Sequence, residues 1–130
     1  MKTTDQKTIL VTDDDSSILS IFEFVLNQAG YKVIKASSGK ECLSVLKSGQ
    51  KIDLVFLDIK MPHMNGVETF KRIQDISPTV LVIMMTGYAM DQLLKEAYEL
   101  GAYGIVYKPF DVEEFLSILD AVFNLPSHIL

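Results

Sequence analysis

Short apolar runs alternate along the chain with longer segments in which apolar residues recur every three or four positions. Several of the runs are apolar at consecutive positions, which is typical of strands covered on both faces of a sheet. The longer segments have the spacing of amphipathic helices. The predicted strands are TILVT (8–12), YKVIKA (31–36), DLVFLD (53–58), TVLVIMMT (79–86) and GIVYK (104–108), and the predicted helices lie near 15–29, 39–48, 65–75, 89–100 and 111–124.

Glycines mark the ends of three of these helical segments. Gly30, Gly49 and Gly101 stand just past the last apolar position, where helices commonly end. Five strands alternating with five helices predict an α/β fold, a doubly wound parallel sheet with helices on both faces. No linker or repeat interrupts the pattern, so we predict a single domain over residues 1–130. The tail LPSHIL (125–130) is too short for a second one.

The composition limits the partners and the location that we expect. A chain of 130 residues with 48% hydrophobic residues can bury a core without disulfides or a structural metal. Cys42 is the single cysteine, which excludes an internal disulfide. No apolar segment resembles a signal peptide or could span a bilayer, so we expect a cytoplasmic protein with no membrane contact. The net charge of −5 argues against direct binding of nucleic acid.

Polar residues stand at the ends of four predicted strands. Asp13 and Asp14 follow the first strand, and Asp58 ends the third. Thr86 ends the fourth strand and Lys108 ends the fifth. The carboxyl ends of parallel strands share one edge of the sheet, where ligands bind. One aspartate in such a position is usually a turn former or a helix cap, but five polar residues at coordinated strand ends predict a cluster.

This cluster has the composition of a metal site that handles phosphoryl groups. Oxygen ligands without thiolate or imidazole favour Mg²⁺, for which Mn²⁺ could substitute. Carboxylates accept phosphoryl groups as acyl phosphates, so Asp58 is the candidate nucleophile. Thr86 and Lys108 would then contact phosphoryl oxygens. Asp15 precedes two serines at a predicted helix start and is interpreted as a helix cap.

Four fragments of the sequence together resemble one protein family. They are ILVTDDD (9–15), LVFLDIKMPHMNG (54–66), VIMMTGYA (82–89) and GAYGIVYKPF (101–110). Over nearly its full length the chain resembles the CheY-like receiver domain of two-component response regulators. The resemblance implies a flavodoxin-like sheet with strand order 2-1-3-4-5. It also implies a cis peptide bond between Lys108 and Pro109, since X-Pro bonds are where cis is tolerated.

The resemblance gives each residue of the cluster a role. Asp58 matches the phosphoacceptor, Thr86 the switch hydroxyl, and Lys108 the lysine that pairs with the phosphoryl group. Asp13 and Asp14 match the acidic pair that binds the metal. The metal ligands that it implies are Asp13, Asp14, Asp58 and the backbone carbonyl of Lys60.

The sequence departs from the family at the position three residues before the lysine. The family usually has an aromatic residue there, which swings inward when the threonine moves, whereas this chain has Ile105. An aliphatic side chain cannot swing inward as a ring does, so the aromatic part of the switch is in question. Movement of Thr86 and the following loop toward the phosphoryl group does not depend on it.

Lys60 and Tyr88 bear on the lifetime of a phosphorylated form. Each lies two residues beyond a site residue, Asp58 or Thr86. We predict that both overhang the phosphoryl group and slow attack by water. The alternative is that both side chains point to solvent.

The first helix is the expected docking surface for a partner. In the family this helix contacts a histidine kinase or a histidine phosphotransfer domain. At 100° per residue, one face of the helix collects Ile18, Ile21, Phe22, Val25 and Leu26. Leu19 lies at the margin of this face and Phe24 lies outside it. We expect Ile18, Leu19 and Pro109 to contact the partner.

The function that these observations predict is that of a phosphoacceptor domain in a two-component or phosphorelay system. Asp58 would receive a phosphoryl group from phosphohistidine, which would alter the surface of the fourth helix, fifth strand and fifth helix. Such a domain is a signalling component and not an enzyme, although it catalyses its own phosphorylation and dephosphorylation. A homodimer through the altered surface is possible.

Three other functions compete with this interpretation. A degenerate receiver would act as a phosphorylation-independent interaction module, although all five site residues are present. A phosphohydrolase of the haloacid-dehalogenase kind needs a second aspartate where this chain has Lys60. A flavodoxin needs a phosphate loop rich in serine, threonine and glycine after the first strand, where three aspartates would repel the FMN phosphate.

Overall fold

The computed structural model describes residues 6–87, 91–109 and 111–123. Strands and helices alternate throughout, as the hydrophobic pattern predicts. The elements are β1 (Thr8–Thr12), α1 (Ser16–Gln28), β2 (Lys32–Ala36), α2 (Gly39–Lys47), β3 (Leu54–Asp58), α3 (Gly66–Ile76), β4 (Leu81–Thr86), α4 (Asp91–Leu100), β5 (Gly104–Tyr107) and α5 (Val112–Phe123).

The five strands form one parallel sheet in the order β2-β1-β3-β4-β5, which confirms the predicted α/β doubly wound fold and its flavodoxin-like order. β3 is buried along its whole length because it lies at the centre of the sheet. β2 and β5 are the edge strands. All strands run in the same direction, so the residues that follow β1, β3, β4 and β5 meet at one edge.

Each face of the sheet has its own hydrophobic layer. One layer packs α2, α3 and α4 on the sheet, with Phe70 and Ile73 among its buried residues. The other packs α1 and α5, where the rings of Phe22, Phe56 and Phe115 contact one another with centroids 4.7 to 5.4 Å apart. Helices on both faces leave the carboxyl edge of the sheet open for a site.

Local signals in the sequence set the helix boundaries. The side chain of Asp15 accepts a hydrogen bond from the backbone N–H of Ser17, so Asp15 is the N-cap of α1 as predicted. Three helices are followed by glycines with φ between +88° and +100°, namely Gly30, Gly49 and Gly101. Glycine adopts this left-handed conformation without the steric cost that a Cβ brings. These predicted helix ends are confirmed.

The face of α1 that is buried differs from the apolar face that helical spacing defines. Leu19 is only 7% exposed and lies in the core, whereas Ile21 is 53% exposed. The buried face is centred on Phe22 and Leu26 and turns toward Leu19 instead of Ile21. Helical spacing alone allowed both placements, because apolar residues continue around the helix on either side of Phe22. Leu19 is therefore a packing residue, and its predicted contact with a partner is not supported.

The structure confirms one further prediction, and other predictions concern residues that it does not describe. The Lys108–Pro109 peptide bond is cis, as predicted. Tyr88 and the tail 125–130 lie outside the described residues. Within the described ranges, no helix is both long enough and apolar enough to cross a bilayer. The extent of the domain over residues 1–130 remains a prediction.

Candidate functional site

Neighbouring strands deliver the candidate residues to one edge of the sheet. Asp13 follows β1 directly, and Asp58 and Thr86 are the last residues of β3 and β4. Lys108 follows β5, and its backbone N–H donates a hydrogen bond to the carbonyl of Thr86. The register pairs Thr86 with Tyr107, next to the lysine. The edge of the sheet therefore receives an acidic, a hydroxyl and a basic side chain from separate parts of the chain.

Three carboxylates come together at this edge. Oxygen atoms of Asp13, Asp14 and Asp58 all lie within 4.8 Å of one another. Asp13 and Asp58 are buried, whereas Asp14 is exposed. This arrangement could hold a metal ion with an open side toward solvent. The three carboxylates supply only oxygen ligands, which suit hard divalent cations.

Lys108 lies between two of these carboxylates. Its Nζ is 2.7 Å from Oδ2 of Asp13 and 3.3 Å from Oδ1 of Asp58. Oδ2 of Asp13 is buried, and the ammonium group of Lys108 is its charge partner. The other oxygen of Asp13 accepts a hydrogen bond from the backbone N–H of Asp15. The predicted cap residue thus also fixes the Asp13 carboxylate through its backbone.

The surroundings of Asp58 disfavour its negative charge. Burial and the nearby charge of Asp13 raise the pKa of Asp58 to about 6. The Lys108 ammonium and a hydrogen bond from the backbone N–H of Lys60 act in the opposite direction but are outweighed. At neutral pH the carboxylate is still mostly ionised. It is then a nucleophile that a cation would stabilise.

The charge of Lys108 is stabilised by the same cluster. Burial alone would lower its pKa, but the hydrogen bond to Asp13 and the charges of Asp58 and Asp13 outweigh burial and raise it above the ordinary value. Lys108 is therefore a permanent cation at physiological pH. It can offset negative charge that develops beside Asp58.

The backbone next to Asp58 is held against the start of α3. A Cβ on Gly66 would lie 2.7 Å from Cα of Ile59 and closer still to the carbonyl oxygen of Asp58. The N–H of Gly66 donates to the carbonyl of Ile59 at 2.7 Å. Asn65 and Glu68 form a capping box at this helix start. Glycine is thus required for the close approach that places Asp58.

The remaining predicted residues occupy different environments. Lys60 is exposed, and its backbone N–H donates a hydrogen bond to Asp58. Ile105 is half-buried against the layer that contains α4. Ile18 is half-buried and Pro109 is exposed, so both are accessible near the site. That Lys108 lies closer to Asp13 than to Asp58 could not be predicted from residue spacing, because the pairing depends on side-chain positions at the ends of the strands.

Comparison with known proteins gives a consistent result. The family model described as the response regulator receiver domain matches residues 9–120. "Sporulation initiation phosphotransferase F" of Bacillus subtilis (strain 168) is 39% identical over 114 residues, which cover 88% of this chain and 89% of that protein. "Transcriptional regulatory protein ZraR" of Escherichia coli (strain K12) is 36% identical over 118 residues, which cover 91% of this chain but only 26% of that protein.

A solved structure supports the same assignment. The response regulator receiver domain protein (CheY-like) from Methanospirillum hungatei JF-1 superposes with a TM-score of 0.88 at 28% identity, covering 97% of this chain and 100% of that chain. The family match spans most of the chain, and the fold and the acidic pocket agree with it. The chain therefore belongs to the response regulator receiver domain family.

Proposed function

We propose that this protein is a phosphoacceptor, and that Asp58 takes a phosphoryl group from phosphohistidine on a histidine kinase or phosphotransfer domain. The observation that supports this most is the convergence of three carboxylates and one ammonium group at an open edge of the sheet. The relative named as a sporulation phosphotransferase matches nearly its whole length, which supports a role in phosphoryl transfer. The expected location is the cytosol.

The proposed reaction forms one bond and breaks another. An oxygen of the Asp58 carboxylate attacks phosphorus, the P–N bond to the donor imidazole breaks, and the imidazole nitrogen keeps the electron pair. Asp58 must be ionised for this attack, which a pKa of about 6 allows at neutral pH. The ammonium of Lys108 stands 3.3 Å from Asp58 and would stabilise charge on the phosphoryl oxygens. The hydroxyl of Thr86 would donate a hydrogen bond to the same phosphoryl oxygens.

A divalent cation fits the donor set of the site. Asp13, Asp14, Asp58 and the backbone carbonyl of Lys60 would hold Mg²⁺, with Mn²⁺ as a substitute. When bound, the cation would offset the negative charge of the carboxylates and of the phosphoryl oxygens. Asp14 faces solvent and leaves room for the waters that Mg²⁺ retains.

Phosphorylation would switch the surface formed by α4, β5 and α5. The phosphoryl group adds a charge of about −1.5 to −2 at neutral pH. Thr86 and the loop after β4 would move toward it and change the position of α4. Ile105 contacts the layer that contains α4, so it would adjust as an aliphatic packing residue and not as a swinging ring.

The donor would dock beside the site. Ile18 on α1 and Pro109 after β5 are accessible and lie on segments that lead away from Asp13 and Lys108. Leu19 is excluded from this surface by its burial. The chain is the acceptor in the reaction and the component that relays the signal, so it is not proposed as an enzyme that turns over a separate substrate.

Incubation with acetyl phosphate and Mg²⁺, followed by intact mass measurement, tests the proposal. We expect one phosphate-sized mass gain in the wild type and in Asp15→Asn, and none in Asp58→Asn or after addition of EDTA. Asp15 is a suitable control because it is an adjacent carboxylate whose side chain caps a helix. Failure of the wild type to gain mass from acetyl phosphate or from a phosphorylated histidine donor would favour a degenerate, phosphorylation-independent receiver.

A further inference from the structure

The negative charge of the protein is concentrated in one region. Residues 91–123 contain seven acidic and two basic residues, whereas the rest of the chain contains ten of each. One of the two bases is Lys108, which is engaged by Asp13 and Asp58 at the edge of the sheet. The whole net charge of −5 therefore belongs to α4, β5, α5 and their connections. We call this region the acidic face.

Most of the acidic side chains of this region are directed to solvent. Glu99, Glu113 and Glu114 are exposed, and among the described residues none of them forms an ion pair with lysine or arginine. Lys95 is the only other base of the region, and it is exposed without an ion pair in the described part of the chain. The charge of this face is thus not neutralised from within.

Apolar surface lies among these charges. An open groove of about 280 Å³ runs between the edge strand β5 and α5. Its lining is formed by Ile83, Tyr103, Gly104, Ile105, Val106, Ile118 and Ala121. Apart from the two chain neighbours of Gly104, no atom of the described residues lies within 4 Å of the position that a Cβ there would take, so the groove is open at this point. An apolar side chain from a partner would fit there.

One exposed tyrosine and one carboxylate lie at the groove. Tyr103 lines the groove and is 51% exposed, and tyrosine is enriched where proteins bind each other. Glu114 lies one helical turn before Ile118 on α5, a spacing that places both on the same side of the helix. A residue that fills the groove would therefore have a carboxylate beside it.

We infer that the groove between β5 and α5 binds a cationic segment of a partner protein, one that inserts an apolar side chain and places lysine or arginine beside Glu114. The inference rests on the proposed function, since it assigns a partner chemistry to the surface that phosphorylation would switch. Electrostatic complementarity sets both the choice of partner and the rate of association.

The same charges disfavour a second copy of the chain as the occupant. A two-fold dimer brings the same patch of both subunits together. Two acidic faces, with Lys95 as the one exposed base of each in the described residues, would repel each other. The predicted homodimer through α4, β5 and α5 is therefore the less favourable arrangement.

A labelled peptide of alternating arginine and leucine serves as the probe. We expect its titration into ¹⁵N-labelled protein to shift amide signals of β5 and of the groove side of α5. Glu114→Lys should weaken binding about fivefold or more, because it reverses the charge beside the groove. The matched control is Asp75→Lys, which makes the same change of net charge at an exposed position on α3. It should change the affinity less than about twofold.

Three results would contradict the inference. The first is a set of amide shifts centred on Asp13 and Asp14, and the second is an equal loss of peptide affinity in Glu114→Lys and Asp75→Lys. The third is a dimer that sedimentation detects in the wild type and that Tyr103→Ala dissociates. The last would identify a second copy as the occupant. Phosphorylation of Asp58 is read separately by mass, and Glu114→Lys should gain phosphate like the wild type. Failure of the phosphoacceptor proposal and failure of this inference are thus distinguishable.

Discussion

The ammonium nitrogen of Lys108 lies 2.7 Å from Asp13 and 3.3 Å from Asp58, so one cation is shared by two buried carboxylates. The lysine therefore has a structural role in addition to its proposed contact with a phosphoryl group. Without it, Asp13 and Asp58 would face each other with no lysine or arginine of the described residues paired to either carboxylate. A bound divalent cation would relieve the same repulsion.

Replacing Lys108 should destabilise the fold most when no divalent cation is present. Loss of one member of a buried ion pair costs about 3–5 kcal/mol, and the partial exposure of Lys108 reduces the expected loss to about 2 kcal/mol. We expect urea unfolding of Lys108→Met in EDTA to show this decrease in the free energy of unfolding, and Mg²⁺ to restore part of it. Lys51→Met is the control, since Lys51 is highly exposed and should contribute less than about 0.5 kcal/mol. Equal effects of both substitutions would contradict the structural role.

The raised pKa of Asp58 predicts how stability depends on pH. The folded protein binds a proton at Asp58 more tightly than the unfolded chain, because the pKa is about 6 in the fold against an ordinary 3.8. The stability that this proton contributes is complete below pH 4 and is lost as the pH rises through 6. Asp58→Asn cannot undergo this loss, so in EDTA it should be more stable than the wild type at pH 7.5, by up to about 3 kcal/mol.

Comparison of the two proteins at two pH values isolates this effect. Urea unfolding at pH 4.5 and pH 7.5 in EDTA should show a much larger difference between Asp58→Asn and the wild type at the higher pH. Titrating groups that are not in contact with Asp58 contribute to both proteins alike, so they cancel in the difference. A difference that is independent of pH, or larger at pH 4.5, would show that burial does not disfavour the Asp58 charge.

The fold and the position of the site could be predicted because both depend on signals local in sequence. Apolar runs define the strands, Asp15 defines a helix start, and Gly101 defines a helix end. Once the sheet is parallel, its topology alone places the ends of β3 and β5 at one edge. Asp58 and Lys108 could thus be assigned to a common site without any information on side-chain positions.

Relationships that depend on packing were not predictable in this way. Leu19 and Ile21 are both apolar residues on α1, and only the angle at which α1 packs on the sheet decides that Leu19 is buried. The closer contact of Lys108 with Asp13 depends on a side-chain conformation between two strands. Neither relationship can be inferred from residue spacing, because spacing gives the periodicity of a helix or strand but not its orientation on the sheet.

Gly66 should be essential for the position of Asp58. A methyl group at this position would collide with the backbone of Asp58 and Ile59, and backbone atoms cannot move aside as a flexible side chain can. We expect Gly66→Ala to lower the free energy of unfolding by about 1–3 kcal/mol and to slow mass gain from acetyl phosphate. Gly104→Ala should change stability by less than about 0.5 kcal/mol, because the added Cβ would meet no atom of the described residues within 4 Å other than those of its chain neighbours. Normal stability and phosphorylation of Gly66→Ala would refute the close packing.

The two neighbouring apolar positions of α1 should respond differently to truncation. Leu19→Ala removes a core side chain and should cost about 2–3 kcal/mol in urea unfolding. Ile21→Ala removes a side chain that is half exposed and should cost less than about 1 kcal/mol. The opposite order would mean that the buried face of α1 is the one that helical spacing first suggested.

The lifetime of a phosphorylated form tests the predicted shielding by Lys60 and Tyr88. Lys60 is exposed and follows Asp58 by two residues, so its long side chain can reach over the phosphoryl group and hinder the approach of water. We expect the variant Lys60→Asn, Tyr88→Ala, once phosphorylated with acetyl phosphate and desalted, to lose phosphate several-fold faster than the wild type in a mass time course, an effect typical of altered access to a reacting centre. Lys71→Asn, an exposed lysine change on α3, should leave the rate unchanged. Unaltered hydrolysis in the double variant would mean that both side chains point to solvent, and the persistence of the acyl phosphate would then depend on Lys108, Thr86 and the metal ligands alone.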